Sequence, residues 1–302
     1  MGSKVGKSKA VLITVNYESA DSALAFLASL ERTKAFSEIN VVVVDNSPGG
    51  EHLSSIRPAV RKYTNAGLIE SPTNRGYFGA ARFAFDNYLA QGHALPDWVI
   101  VCNHDVLIED KDFFSMLFRE SPETVGVIAP RIQALPGRVD QNPFMRRRPS
   151  PMRWANLRFI SSNYGAAALW DWLWRRKSEF RSWLAARRRD SLLDGKAKRE
   201  SIYAAHGSFF IFSRRYFEAG GFLDGNLFLY GEEISVAEIC QSLGLPVVYE
   251  PSLRVLHKEH QSTGKVLSRF TYECQKRAMQ YVTSRYLSRS REPAGSCQPN
   301  LS

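Results

Sequence analysis

Several side chains capable of chemistry fall where a strand or helix pattern ends. Asn16 follows the apolar run Val11–Val15, and Asp45 follows the four β-branched residues Val41–Val44. Asn103-His104-Asp105 closes the run Trp98–Cys102, and Glu232-Glu233 precedes a helical pattern over Ile234–Ser242. A carboxylate just beyond a buried strand can accept a hydrogen bond from the ring N–H of a pyrimidine, which is chemistry open to Asp45. A carboxylate at a helix start is favoured by the helix dipole, which is the position of Glu233.

The elements that must position these groups alternate. Apolar positions at Ala23, Phe26, Leu27 and Leu30 have helical spacing over Ala20 to Leu30, and the turn signal Asp45–Gly50 ends the second strand. A short strand near Leu68-Ile69, a helix from Phe78 to Ala90, the strand Trp98–Cys102 and a strand at Val125–Ala129 complete a β-α-β-α-β-α-β series. That series predicts an α/β fold with a mostly parallel, Rossmann-like central sheet flanked by helices. Ligands bind such sheets outside the carboxyl ends of the strands, where Asn16, Asp45 and Asp105 all lie. A second apolar set runs from Ile202 through Phe209–Phe212, with a strand at Val247–Tyr249. A helix from about Leu267 to Leu287 leads to a polar tail, Ser288–Ser302, expected to be loose.

Composition narrows the class. The 302 residues are 44% hydrophobic, enough for a sizeable core. The four cysteines lie far apart without a C-x-x-C pair, a pattern of reduced thiols rather than a disulfide or zinc framework. The basic start MGSKVGKSKA leads only into a strand-length apolar run, and no apolar stretch reaches the ~18–20 residues that span a bilayer. These features predict a cytoplasmic protein, soluble or peripheral on the cytoplasmic face of the inner membrane. The net charge of +10 is concentrated: Arg146–Arg199 holds 15 Lys/Arg against 4 Asp/Glu, so the remainder is close to neutral. Five of the six tryptophans lie in the same stretch.

Seven segments in register resemble family 2 glycosyltransferases with the GT-A fold, in the bacterial rhamnosyltransferase-like branch. They are Thr14–Tyr17, Val41–Ser47, Asn74–Ala81, Asn103–Asp105, His206–Arg215, Gly220–Glu233 and Tyr249–Thr263, spanning about four fifths of the chain. The resemblance implies an inverting transfer of sugar from a nucleotide-diphospho-sugar, of the dTDP-rhamnose or UDP-hexose type, to a hydroxyl of a glycan or lipid-linked acceptor. Surface polysaccharide or O-antigen assembly would be the setting. Asn16, Tyr17, Asp45, Asn74, Gly76, Asn103, His104 and Asp105 would then bind the nucleotide-sugar, with Gly76 allowing close backbone approach to the nucleotide.

Asn103-His104-Asp105 stands where the family has D-x-D, with Asn103 replacing the first acid. Asp105 would ligate Mg²⁺ or Mn²⁺, with His257 as the second protein ligand, and His104 turned away from the metal. Of the acidic pair, Glu233 would be the general base and Glu232 its catalytic neighbour. Alternatively, both glutamates only cap the helix. His206 and Asp224 are the expected acceptor contacts.

The basic insert, about 146–199, is the least family-like part. Leu169, Trp170, Leu173, Phe180, Trp183 and Leu184 fall roughly on one helical face, ringed by Arg and Lys. An interfacial helix on an anionic membrane and an ordinary core-packed helix with a solvated basic face both fit. No nucleic-acid motif accompanies the patch. The expected organisation is a glycosyltransferase domain over 1–264 and a C-terminal helix and tail over 265–302. A dehydrogenase is excluded, because NYESADSA stands where G-x-G-x-x-G would follow the first strand. The competing reading is an inactive relative that binds nucleotide-sugar or scaffolds a membrane assembly.

Overall fold

The computed structural model describes residues 8–50, 52–135, 138–187, 197–258 and 268–288, without the side chains of 174, 175 and 178–187. Its first half follows the alternation read above: β1 (Ala10–Asn16), α1 (Ala20–Glu31), β2 (Ile39–Asp45), α2 (Leu53–Val60), β3 (Ala66–Glu70), α3 (Gly76–Ala90) and β4 (Trp98–Asn103). The chain continues through β5 (Val106–Leu107), α4 (Phe113–Leu117), β6 (Val127–Ala134) and β7 (Val139–Asp140). Two helices, α5 (Pro151–Ser162) and α6 (Tyr164–Arg187), make up most of the basic insert. β8 (Glu200–Ile202), β9 (Phe209–Ser213), α7 (Arg214–Glu218), α8 (Glu232–Ser242), β10 (Val247–His257) and α9 (Arg269–Val282) follow, the last running into a π-helical turn over Thr283–Leu287.

The sheet order is β3-β2-β1-β4-β9-β6-β10-β5, with β7 on β6 and β8 on β10. β3, β2, β1 and β4 are parallel. β9 then lies antiparallel between β4 and β6, so the sheet is mostly but not wholly parallel and β6 keeps the direction of β4. Phe209–Phe212 are all fully buried, so this strand is covered on both faces and takes a central place. Because β10 is parallel to β6, the carboxyl ends of β1, β2, β4, β6 and β10 all point to one edge. β10 also runs well past the expected Val247–Tyr249, continuing to His257 through a bulge between Glu250 and Arg254.

Two apolar layers hold the sheet. One joins Leu12, Val41 and Ile100 to Phe26, Leu27 and Leu30 of α1. The other joins Val11, Ile13 and Val99 to Phe78, Ala81 and Phe85 of α3 and to Val236 and Ile239 of α8. Full burial of each large side chain contributes about 1.5–3 kcal/mol, so these stripes are what fix the helices on the sheet. A smaller cluster, Trp154 with Leu227, Ile234, Ala278 and Val282, ties α5 and α9 to the segment that carries Glu232 and Glu233.

Candidate functional site

The strand ends bring the nucleotide-binding candidates into register. Asn16 and Asp45 are direct partners across β1 and β2, and Val15 pairs with Asn103 across β1 and β4. Asn16 Nδ2 donates to Asp45 Oδ1 at 3.2 Å, and Ser47 Oγ donates to the same oxygen at 2.8 Å. The carboxylate is thereby oriented, and none of these bonds uses Oδ2. Tyr17 stands at the rim, 41% exposed.

The turn at Asn74–Gly76 is built by side chains acting on backbone. Asn74 Oδ1 accepts from Gly76 N and from Asn46 Nδ2, both at 2.9 Å, while Asn46 Oδ1 accepts from Arg75 N at 2.9 Å. Asn46, buried and without an expected role, is thus the clasp between β2 and α3. Gly76 has φ +71°, and a Cβ there would sit 1.9 Å from the carbonyl oxygen of Phe228. One close approach that requires glycine here is to the Phe228 backbone, a reason the sequence did not indicate. The contact seats α3 against the segment leading to Glu232.

Beyond β4, Asn103 N donates to Ser208 O at 3.0 Å, and His104 Nδ1 lies 3.0 Å from Val15 O, turned back toward β1. Asp105 reaches across to the end of β10: its Oδ1 lies 3.3 Å from His257 Nε2. That oxygen is buried and has no hydrogen-bond partner among the described residues. The other ring nitrogen of His257 lies 2.7 Å from Gln141 Oε1. In the tautomer with the proton on Nδ1, directed at that acceptor, Nε2 carries a lone pair facing Asp105 Oδ1, an arrangement that suits a cation held by both. No group of three or more His, Cys, Asp or Glu side chains with metal-binding geometry occurs among the described residues. The pair fits an oxygen-seeking cation that completes its shell with water and phosphate.

His206 packs beside this pair, its ring 5.9 Å from that of His257 and its Nδ1 3.0 Å from Ser208 Oγ. Burial, reinforced by His257, pushes its pKa down to about 3, so it is a neutral imidazole at physiological pH.

Glu232 and Glu233 are the first two residues of α8, which starts two residues earlier than the helical pattern suggests. Tyr230 and Gly231 before them both adopt left-handed backbone, at φ 69° and 88°. For a tyrosine that conformation is strained, and such strain collects at functional turns. Glu232 is 4% exposed and its Oε1 has no partner among the described residues. Glu233 lies against Gly207, where a Cβ would come within 2.7 Å of its Oε1. Burial raises the pKa of both, and the charge of Glu233 raises that of Glu232 further. Backbone N–H groups of Glu233, Gly207 and Gly231 pull Glu233 partly back toward the ionised form.

Asp224 takes a different place from the one expected. Its buried carboxylate accepts from Tyr281 Oη at 3.0 Å, Tyr286 Oη at 2.5 Å, and Asn226 N and Nδ2 at 3.1 and 2.9 Å. With both oxygens occupied, it anchors the C-terminal helix rather than offering a free acceptor contact. Gln141 was not indicated by the sequence, and Gly207 and Ser208 only as members of the segment His206–Arg215. The contacts of Gln141 with His257, of Gly207 with Glu233 and of Ser208 O with Asn103 N join distant parts of the chain, for which local pattern carries no signal.

In the insert, Leu169 and Trp170 are 58% and 47% exposed and Leu173 is also exposed, so these three are not core-packed. Met152, Phe159 and Trp172 of the same two helices are exposed as well. The side chains of Phe180, Trp183 and Leu184 lie outside the described residues.

No family model matches the chain. It is 27% identical over 260 residues to the N-acetylglucosaminyl-diphospho-decaprenol L-rhamnosyltransferase of Mycobacterium tuberculosis, covering 84% of this chain and 77% of that one. Among solved structures, it superposes on GalNAc-T7 crystallised with UDP, GalNAc and Mn²⁺ at a TM-score of 0.60 and 14% identity, covering 93% of this chain and 48% of that one. It superposes on S. aureus TarS at 0.51 and 12% identity, covering 93% and 43%. The chain thus spans about half the length of these structures, whose likeness is one of fold. With the strand-end site and the sequence likeness taken together, the chain has the GT-A fold and is similar in sequence to a bacterial L-rhamnosyltransferase.

Proposed function

We propose that the chain transfers a deoxyhexose or hexose, with inversion, from a dTDP- or UDP-linked donor to a hydroxyl of a lipid-linked saccharide in bacterial surface polysaccharide assembly. The observation that carries this reading is the convergence of Asp45, Asp105, His257 and Glu233 on one sheet edge, with Asp105 Oδ1 and His257 Nε2 facing each other at 3.3 Å. The acceptor preference rests on the relative, named for transfer involving N-acetylglucosaminyl-diphospho-decaprenol.

In this reading Asp45 and Asn16 hold the base, and Asp105 and His257 hold a divalent cation. When bound, that cation would offset the negative charge growing on the leaving diphosphate. Glu233 takes the proton of the acceptor hydroxyl as that oxygen bonds to the anomeric carbon. The bond from that carbon to the diphosphate breaks, releasing the nucleoside diphosphate. Attack opposite the leaving group inverts the anomeric centre. Asn103, in place of an acid, lowers the negative charge around the cation by one. The retained Asp105, Glu233 and His257 favour an active enzyme over an inactive relative, which would have no use for all three.

The direct test is nucleotide release with dTDP-L-rhamnose and UDP-hexoses in the presence of Mn²⁺ and a GlcNAc-diphospho-lipid. Acceptor-dependent release from one donor, with an inverted product linkage, is expected. No release from any donor by folded protein would sink the reading.

The exposed apolar residues of α5 and α6, interspersed with Arg153, Arg158 and Arg176, support a second element: contact with an anionic membrane where such acceptors reside. No helix among the described residues is long and apolar enough to cross a membrane. Combined Trp170→Ala and Leu173→Ala substitutions are expected to reduce sedimentation with phosphatidylglycerol vesicles about tenfold or more. Turnover of a water-soluble acceptor should stay unchanged. Equal vesicle binding by the variant would assign this surface elsewhere.

A further inference from the structure

Tyr77 has no role in the chemistry above, yet its hydroxyl is placed at the centre of the site. The residue follows Gly76 into α3, and its N–H donates to Phe228 O at 2.9 Å. The missing Cβ of Gly76 is what allows these two segments to meet. Its ring leans on Phe78, with centroids 5.4 Å apart. The hydroxyl oxygen is buried and has no hydrogen-bond partner among the described residues. Burial is the main influence on it, and the carboxylates of Glu232, Glu233 and Asp105 act on it electrostatically.

A buried hydroxyl without a partner is costly, and phenylalanine would fill the same space without that cost. Glu232 Oε1 is a second buried oxygen in the same state, four residues after Phe228. The surroundings of Tyr77 locate it along the donor. Asp45 and Asn16 stand at the nucleoside end, Asp105 at the diphosphate, and Glu233 at the acceptor side of the anomeric carbon. A group influenced by both Asp105 and Glu233 lies where the transferred sugar ring must sit. Sugar hydroxyls both donate and accept, as does a phenol, whereas a glutamate side chain offers oxygens to a donor.

We infer that Tyr77 Oη, together with Glu232 Oε1, binds hydroxyls of the donor's sugar ring, making Tyr77 a specificity-determining residue for the transferred sugar. The inference rests on the nucleotide-sugar reading of the site and adds to it the wall that recognises the sugar rather than the nucleotide.

The test compares wild type with Tyr77→Phe by calorimetry, in Mn²⁺, using dTDP-L-rhamnose against dTDP and UDP-glucose against UDP. Thermal unfolding of both proteins is measured alongside. The variant is expected to bind the preferred sugar nucleotide about 3- to 10-fold more weakly, the worth of one neutral hydrogen bond. Its affinity for the matching nucleoside diphosphate should change less than about twofold, and its melting temperature should not fall. Unchanged affinity for the sugar nucleotide, or equal losses for both ligands, would overturn the assignment. If wild type binds the nucleoside diphosphates but discriminates no attached sugar, the assignment also fails while the nucleotide site survives. Binding of neither class by wild type would remove the donor-site reading and this inference with it.

Discussion

Glu233→Gln is expected to lower kcat by about 10²- to 10⁴-fold while leaving donor affinity within about twofold. Glutamine keeps the size and polarity of the side chain at the start of α8, so the helix and its packing against the sheet should persist. What it loses is the ability to take the acceptor's proton. Because burial raises the Glu233 pKa, the base is ionised only above the ordinary carboxylate range. The acid limb of kcat/KM against pH should therefore lie above about 4.5, with activity lost as pH falls through it. The glutamine variant should show no such limb. Glu232 beside it is also raised, by burial and then by the Glu233 charge, so the two titrate as a pair and the limb reports the pair. Steady-state kinetics across pH decide the matter: a kcat within tenfold of wild type, with the limb intact, would remove Glu233 as the base.

The second large effect is expected at the Asp105–His257 pair. Asp105→Asn removes the carboxylate charge that faces His257 Nε2 at 3.3 Å while preserving shape. Mn²⁺-dependent binding of a nucleoside diphosphate should weaken by at least about 100-fold, because the cation loses its one carboxylate. Gln141→Leu is the more discriminating variant. It leaves both proposed ligands in place and removes the acceptor 2.7 Å from His257 Nδ1. Outer partners of this kind typically matter by about 10- to 100-fold in metal affinity, so an intermediate loss is expected. Calorimetric titration with and without Mn²⁺ separates the outcomes. Metal-dependent binding that survives Asp105→Asn intact would place the cation elsewhere.

Both predictions draw on residues visible as motifs, but their strength depends on what surrounds those residues. Asp105 and Glu233 were identifiable because each sits where a local pattern stops: a buried strand at Cys102 and Asn103, and a helix starting beside Glu232. Asn16 and Asp45 share that property, and their pairing follows once β1 and β2 are parallel neighbours. Gln141 had no such marker, since its importance is a contact with a residue 116 positions away.

The sequence by itself determined the alternating elements of the first half, the strand-end placement of the polar residues and the segregation of basic charge into one insert. These are properties of short-range periodicity, turn chemistry and composition, which act within a few residues. Only the tertiary structure decided that β9 runs antiparallel between β4 and β6, because strand pairing is chosen by complementary burial between distant segments. Only it showed that Gly76 is required by the Phe228 carbonyl and that Asp224 is taken up by Tyr281 and Tyr286. Likewise, Leu169, Trp170 and Leu173 have the spacing of a packed helical face but are exposed, since burial requires a neighbouring surface as well as a periodicity.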